Sequence, residues 1–148
     1  MPTAYSYEEI TGYGAVLEYY DYDAGTPDWV AVAGLKDIPF PTFELESVDI
    51  TSQDSPNQAR ETIPGFSSLG DVQLEGYFFD TQFATMLTRA MGRKIEDWRI
   101  RITQLSTPKQ LAWQGWIKTF GGNLPLKEAA MMPFAIENIG VPTYGAVV

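Results

Sequence analysis

The chain has 148 residues, 45% of them hydrophobic, which is enough for one globular domain with its own core. It contains no cysteine and no histidine, which excludes disulfides, thiolate chemistry and the most common general base and metal ligand. Ten Lys and Arg residues against nineteen Asp and Glu residues give a net charge of −9, which argues against attractive binding to nucleic-acid phosphates. There is no basic and apolar start and no run of about eighteen apolar residues, so neither a signal peptide nor a membrane span is expected.

The first part of the chain predicts a terminal arm followed by a β-hairpin. Residues 1–13 are polar and aromatic without a clear period, which is typical of a terminal arm. Residues 14–21 and 29–34 have strand-like composition and are joined by turn residues around Gly25 and Pro27. We therefore expect an arm over the first thirteen residues and a hairpin after it.

Two further strands are expected in the middle of the chain. Residues 43–50 and 72–79 alternate β-branched and aromatic residues with polar ones, the period of a strand with one solvent-exposed face. In the first of these strands the apolar residues change phase, which predicts a β-bulge near Ser47.

The segment between these strands, residues 52–70, is rich in serine, proline and glycine, and we expect it to form one long loop. Loops of this length are uncommon in compact domains and are usually functional or disordered. This one carries Ile63, Phe66 and Leu69, apolar side chains that a solvated linker does not need. We therefore expect it to dock onto another surface, such as a second copy of the chain.

One helix is expected, at residues 80–91. Asp80 stands at the N-cap position, Phe83 and Leu87 belong to an apolar stripe with spacings of three and four residues, and Gly92 follows as a stop signal. We expect this helix to pack against the sheet through Phe83 and Leu87.

The last third of the chain predicts more strands. Residues 98–105 and 111–120 read as a second hairpin, residues 128–138 read as a final strand, and residues 140–148, interrupted by glycine and proline, read as an irregular tail. Six or seven strands with one helix predict a mainly β fold: a β-sandwich or half-barrel with one inserted α-helix and a long inter-strand loop.

Catalysis finds little support in these patterns. Glu44 with Glu46, or Asp71 with Glu75, would share a strand face, but a solvated acidic face explains both pairs. No nucleophile with its base can be assembled without histidine or cysteine, so we predict no enzyme, no metal site and no cofactor. The four tryptophans and eight tyrosines leave one alternative open, a monomeric β-sandwich module that binds a carbohydrate or a protein.

The middle of the chain contains Val48-Asp49-Ile50-Thr51 followed by Asp54-Ser55, then Glu61-Thr62-Ile63-Pro64-Gly65-Phe66, then Gly70-Asp71-Val72. Together these motifs resemble the tail tube (major tail) proteins of long-tailed bacteriophages. In that family, six subunits form a ring with a continuous inner β-barrel, and rings stack into a tube that conducts DNA during injection. The resemblance implies a structural virion protein with a single tail tube domain over residues 1–148. It would be located in the virion tail, and in the host cytoplasm during assembly, with the tape measure and tail terminator proteins as further partners.

The resemblance also implies roles for individual residues. The long loop would stack one ring on the next, with candidate contacts Asp54, Arg60, Glu61, Ile63, Pro64, Phe66 and Leu69. Strands 43–50, 71–79, 97–105 and 111–120 would form the lumen wall, with candidate lumen-facing residues Glu44, Glu46, Asp71, Gln73 and Glu75. Such a wall would repel DNA phosphates, so DNA would pass without specific binding. Three basic residues depart from a purely acidic lining and would either face DNA or pair with carboxylates of the next subunit: Arg99, Arg101 and Lys118.

Overall fold

The computed structural model describes residues 13–147, which contain eight β-strands and one α-helix. Six strands form one antiparallel sheet: β1 (Val16–Asp21), β2 (Asp28–Val32), β5 (Val72–Tyr77), β6 (Glu96–Ile102), β7 (Lys109–Phe120) and β8 (Met131–Ala146). The other two form a separate hairpin, β3 (Phe43–Asp49) and β4 (Thr62–Leu69), whose connection includes a short 3-10 turn at Pro56–Gln58. The helix α1 spans Asp80–Met91.

The six-stranded sheet curls into a half-barrel. Its strand order is β2-β1-β6-β7-β8-β5, so the chain places its first two strands at one edge and β5 at the other. The segment that follows β2 then reaches β5, because Lys36 N–H donates to the carbonyl of Glu75 and Tyr77 N–H donates to that of Gly34, both at 3.0 Å. The two edges therefore meet through this segment, which confirms the predicted mainly β half-barrel.

The core lies on the concave side of this sheet, where alternate residues of each strand are buried. Leu17, Trp98, Ile100 and Ile136 come from three different strands and are almost fully inaccessible to solvent. Trp98 keeps its one polar atom satisfied, because its indole N–H donates to the carbonyl of Gly115. We call the opposite side of the sheet the far face; it carries the intervening residues, which include Glu18, Arg99, Arg101, Gln73 and Glu75.

The helix begins and ends where the sequence predicted, but it is capped and packed differently. Phe79 occupies the N-cap position, and Asp80 is the first helical residue, without a side-chain capping hydrogen bond, so the N-cap prediction is wrong. The fully buried helix residue is Met86, whereas Leu87 is only half-buried. Phe83 packs against the core, as expected. No helix in residues 13–147 is long and apolar enough to span a membrane.

The second part of the predicted long loop is a strand. Residues 62–69 form β4, which pairs with β3 and is therefore the strand that runs back along residues 43–50. Residues 72–77 pair with β8 instead. Proline and glycine, here Pro64 and Gly65, predict a break in a strand, but a proline is tolerated where its missing N–H would point away from the partner strand.

The pairing of β3 with β4 is irregular next to Ser47, where a bulge in β3 was predicted. Leu45 pairs with Ser67, and the next pair is Ser47 with Pro64. Between these two pairs the chain advances by two residues on β3 but by three residues on β4. The extra residue therefore belongs to β4, near Phe66.

The predicted irregular tail is also a strand for most of its length. Residues 140–146 are the second half of β8 and pair with the start of β7. Gly140 has φ +73°, and the register breaks between Ala112 and Gln114, so the glycine and proline are accommodated in a bulge. The predicted N-terminal arm lies outside the described residues, apart from Tyr13.

Candidate assembly surface

The β3–β4 hairpin exposes apolar side chains along most of its length. Every residue of β3 is exposed, and in β4 only Leu69 is buried. The exposed apolar residues are Phe43, Leu45, Val48, Ile63 and Phe66, the last with 87% of its surface accessible. An isolated two-stranded hairpin is only marginally stable in water. This hairpin therefore offers a surface that packing against another molecule would stabilise.

The base of the hairpin is fixed to the half-barrel. Leu69 is only 6% exposed and belongs to the core, so it does not lie on the docking surface where we expected it. Gly70 N–H donates to the carbonyl of Thr42 at 2.7 Å, and the Asn138 side chain donates to the carbonyl of Gly70 at 2.6 Å. The hairpin is thus held in a defined direction relative to the sheet.

The tip of the hairpin, residues 50–61, is organised by its own hydrogen bonds. Ser55 is only 6% exposed, and its hydroxyl accepts from Ser52 N–H at 2.9 Å and donates to the Glu61 carboxylate at 2.8 Å. Glu61 N–H donates to the Thr51 hydroxyl at 2.7 Å. The Glu61 carboxylate is thus used within the tip, while Asp54 lies at its exposed surface.

Outside this network the tip carries an exposed ion pair. Arg60 Nε lies 3.9 Å from Asp49 Oδ2, and both side chains are exposed, so the pair contributes little to stability. Hydrogen bonds from Thr51 lower the pKa of the Asp49 carboxyl below its usual value.

The five candidate lumen residues do not lie on one surface: four lie in two different sheets and one lies in a turn. Glu44 and Glu46 share one face of β3, whereas Gln73 and Glu75 lie on the far face of the half-barrel. Asp71 lies in the turn between β4 and β5. The structure therefore groups them as two pairs and one separate residue.

Asp71 shares an ion-pair partner with Glu137 in its own chain. Lys118 Nζ lies 3.5 Å from Asp71 Oδ2 and 3.5 Å from Glu137 Oε2. The two carboxylates, Glu137 first, raise the pKa of the Lys118 ammonium group. Lys118 is nevertheless about half exposed.

A second ion cluster occupies the far face at β1 and β6. Arg99 Nε and Arg101 Nε lie 2.9 Å and 2.8 Å from the same oxygen of Glu18. Arg99 also donates to the Gln110 side chain at 3.0 Å and stacks over the Trp29 ring at 4.2 Å. Because Arg99 is buried and pairs with Glu18 in its own chain, its charge does not require a partner in another subunit. Arg101 is more exposed than Arg99.

Comparison with known proteins gave matches among solved structures. No family model matches the chain, and no curated protein matches it. A subunit in the tail of an empty gene transfer agent particle, refined with helical C6 symmetry, is 19% identical, with a TM-score of 0.70 over 88% of this chain and 96% of that chain. A subunit of the SPP1 tail tube is 11% identical, with a TM-score of 0.70 over 94% of this chain and 80% of that chain.

A third match has the same architecture. It is a sheath/tube terminator structure of an extracellular contractile injection system, 11% identical, with a TM-score of 0.71 over 97% of this chain and all of that chain. The chain has the phage tail tube fold. The matches extend over nearly the whole described chain, so the resemblance noted in the sequence is confirmed at the level of the fold.

One buried charge cluster of this tail tube fold was missed in the sequence. Arg89, near the end of α1, bridges Asp21 of β1 at 2.6 Å and Glu96 of β6, and its guanidinium lies over the Tyr19 ring at 4.5 Å. Glu96 is 4% exposed, and burial raises its pKa even though Arg89 acts in the opposite direction. The cluster joins the helix to the sheet.

Within residues 13–147, no three Asp or Glu side chains lie close enough together to bind a metal ion. Two tryptophans, Trp98 and Trp113, are core residues, and the Arg99 guanidinium lies over the Trp29 ring. The exposed hairpin is therefore the feature of this chain that most needs a functional explanation.

Proposed function

We propose that the chain is a tail tube subunit, and that six copies form a ring and rings stack into a tube that conducts DNA during injection. The observation that carries this proposal is an exposed apolar hairpin anchored to a domain with the tail tube fold. The gene transfer agent and SPP1 structures with this fold are described as a tail and a tail tube, and the former was refined with C6 symmetry.

The hairpin is the proposed contact between rings. Covering the exposed parts of Ile63, Pro64 and Phe66 would remove roughly 200 Å² of apolar surface from water, worth about 5 kcal/mol at about 25 cal/mol per Å² before ordering costs. A contact between the hairpin of one subunit and a different surface of the next is heterologous, so it continues as a filament and does not close. Asp54, Arg60 and Glu61 would then fix the direction of approach.

The acidic residues have a proposed place in the lumen. Gln73 and Glu75 on the far face, with Glu44 and Glu46 on β3, would give the tube an inner surface that repels phosphates. In such a particle the chain would act in the virion tail after assembly in the host cytoplasm, together with tape measure and tail terminator proteins.

Electron microscopy of the purified protein tests this function. Concentrated wild-type protein is expected to form rings or tubes in negative stain, with a matching rise in mass by light scattering. Phe66→Lys places a charge on the hairpin and should abolish the tubes, whereas Met91→Lys, at an exposed methionine of the helix, is the matched control. A wild-type protein that stays monomeric at every concentration would contradict the proposal.

A further inference from the structure

A second exposed apolar surface lies in the connection between β7 and β8, residues 121–130, which we call the leucine loop. Within residues 13–147, Leu126 is more exposed than any other large apolar side chain, at 96%, and Leu124 is 80% exposed. Two leucines exposed in one short loop are typical of a surface that another molecule covers.

The leucine loop is held in place by backbone hydrogen bonds at its base. Asn123 and Met131 exchange two such bonds, each of 2.9 Å, and the Ala130 carbonyl accepts from Phe78 N–H at 3.0 Å. Pro125 lies between the two leucines, and its fixed φ angle limits the freedom of the loop. The leucines are therefore presented at a defined place, as a docking surface requires.

The leucine loop and the β3–β4 hairpin lie at opposite ends of β5. The hairpin is attached where β5 begins, through the hydrogen bonds of Gly70 to Thr42 and Asn138. The leucine loop lies where β5 ends, because Tyr77 pairs with Met131 at the start of β8. The six residues of β5 place about 20 Å between the two. A subunit with different apolar surfaces at two ends can join its copies head to tail, as a filament requires.

Charge favours the leucine loop over a second hairpin as the surface that the hairpin contacts. Residues 43–69 contain five acidic residues and one arginine, which gives the hairpin a charge of −4, so two hairpins in contact would repel each other. The leucine loop contains one lysine, Lys127, and one glutamate, Glu128, and is neutral. Lys127 is exposed directly after Leu126, where it can pair with an acidic residue of the hairpin such as Asp54.

We propose that the leucine loop receives the hairpin of a subunit in the next ring, an inference that rests on the proposed function. Phe66, the most exposed apolar side chain of the hairpin, then packs against Leu124 and Leu126 of the other copy, which removes apolar surface of both copies from water. Because each copy contributes a different surface, a stack keeps a free hairpin at one end and a free leucine loop at the other.

Cross-linking tests which surfaces touch, because the chain has no cysteine of its own. Ser67→Cys/Ala129→Cys places thiols beside the hairpin and leucine-loop contacts without changing Phe66 or either leucine. In assembled tubes of this variant, a short bis-maleimide should join subunits into a ladder of multimers on a denaturing gel. Ser67→Cys/Ala84→Cys is the matched control, because Ala84 is also an exposed alanine but belongs to α1. No ladder from the first variant, or an equal ladder from the control, would overturn the inference.

A charge on the leucine loop tests whether the contact is needed for stacking. Leu126→Lys should raise the critical concentration for tube assembly at least about tenfold, whereas Leu126→Met, which stays apolar, should change it less than about threefold. Circular dichroism should show both variants folded, because the side chain is exposed. If Leu126→Lys assembles at the wild-type concentration, the inference is wrong, although the tube function stands. If the wild-type protein forms no rings or tubes, the proposed function fails, and this inference with it.

Discussion

At the scale of single residues, the structure is held by charges that meet from distant parts of the chain. Arg89 lies between Asp21 and Glu96, and its side chain is nearly buried. Breaking a buried ion pair by removing one partner is costly, because the remaining charge stays in a place with little water. The helix therefore depends on this arginine for more than its packing.

We predict that Arg89→Met lowers the free energy of unfolding by about 3 kcal/mol near neutral pH. Burial raises the pKa of Glu96 in the folded protein, and the loss of Arg89 raises it further, so the folded variant binds a proton more readily than the unfolded chain. The difference in the free energy of unfolding between the wild type and the variant should therefore become smaller as the pH falls from about 7 toward about 5. Urea unfolding of both proteins at several pH values measures this difference.

The control for this prediction is the same substitution in a Glu96→Gln background. In that background the buried carboxyl no longer titrates. The difference in free energy of unfolding between Glu96→Gln and the double variant with Arg89→Met should therefore depend much less on pH. A deficit that is equally large at every pH in the native background would contradict the role assigned to Glu96.

At the scale of elements, the helix is attached through one fully buried side chain. Met86 is 1% exposed, whereas Met91, at the end of the same helix, is 68% exposed. We predict that Met86→Ala lowers the free energy of unfolding by about 2–5 kcal/mol and that Met91→Ala changes it by less than about 0.5 kcal/mol. Denaturant unfolding compares the two. Similar losses for both variants would show that the helix is not packed through Met86.

The hairpin tip is the other element with a separate role. It bonds mainly to itself, so we predict that replacing residues 51–60 with Asn-Gly, which favours a tight hairpin turn, leaves a folded protein that no longer forms tubes. Ile50 and Glu61 already face each other in the ladder, so the shortened chain can close between them. Circular dichroism and electron microscopy measure folding and assembly.

Ser55→Ala serves as the comparison for the shortened tip. It keeps the length of the tip and removes the hydroxyl that Ser52 and Glu61 both use, so it should weaken assembly without abolishing it. Tubes of normal length from the shortened protein would show that the tip is not the stacking element.

At the scale of the whole molecule, the net charge of −9 sets the relation to DNA. We predict no gel shift of duplex DNA at about 10 µM protein and physiological ionic strength, because phosphates are repelled by an acidic surface. Gln73→Lys/Glu75→Lys should bind DNA more tightly than the wild type if β5 forms part of that surface. Tight, salt-sensitive binding by the wild-type protein would contradict a repelling lumen.

The sequence by itself determined the local features of this protein. Hydrophobic patterns depend only on neighbours in the chain. The alternation along residues 43–50 and 72–79 predicted strands, and the three- and four-residue spacing in residues 80–91 predicted a helix. The structure has strands in the first two segments and a helix in the third. The phase change near Ser47 predicted a bulge in β3, whereas the structure has the extra residue on the partner strand β4. The mainly β half-barrel followed from the order of these elements.

Tertiary structure alone decided which strands pair and which charges meet. Pro64, Gly140 and Pro142 predict breaks when only their neighbours are considered, but an edge or a bulge accepts them once partner strands are in place. Glu18 and Arg99 lie 81 positions apart, so no local pattern could pair them. The same reason explains why Leu69 was assigned to a docking surface: its burial depends on strands that are distant in sequence.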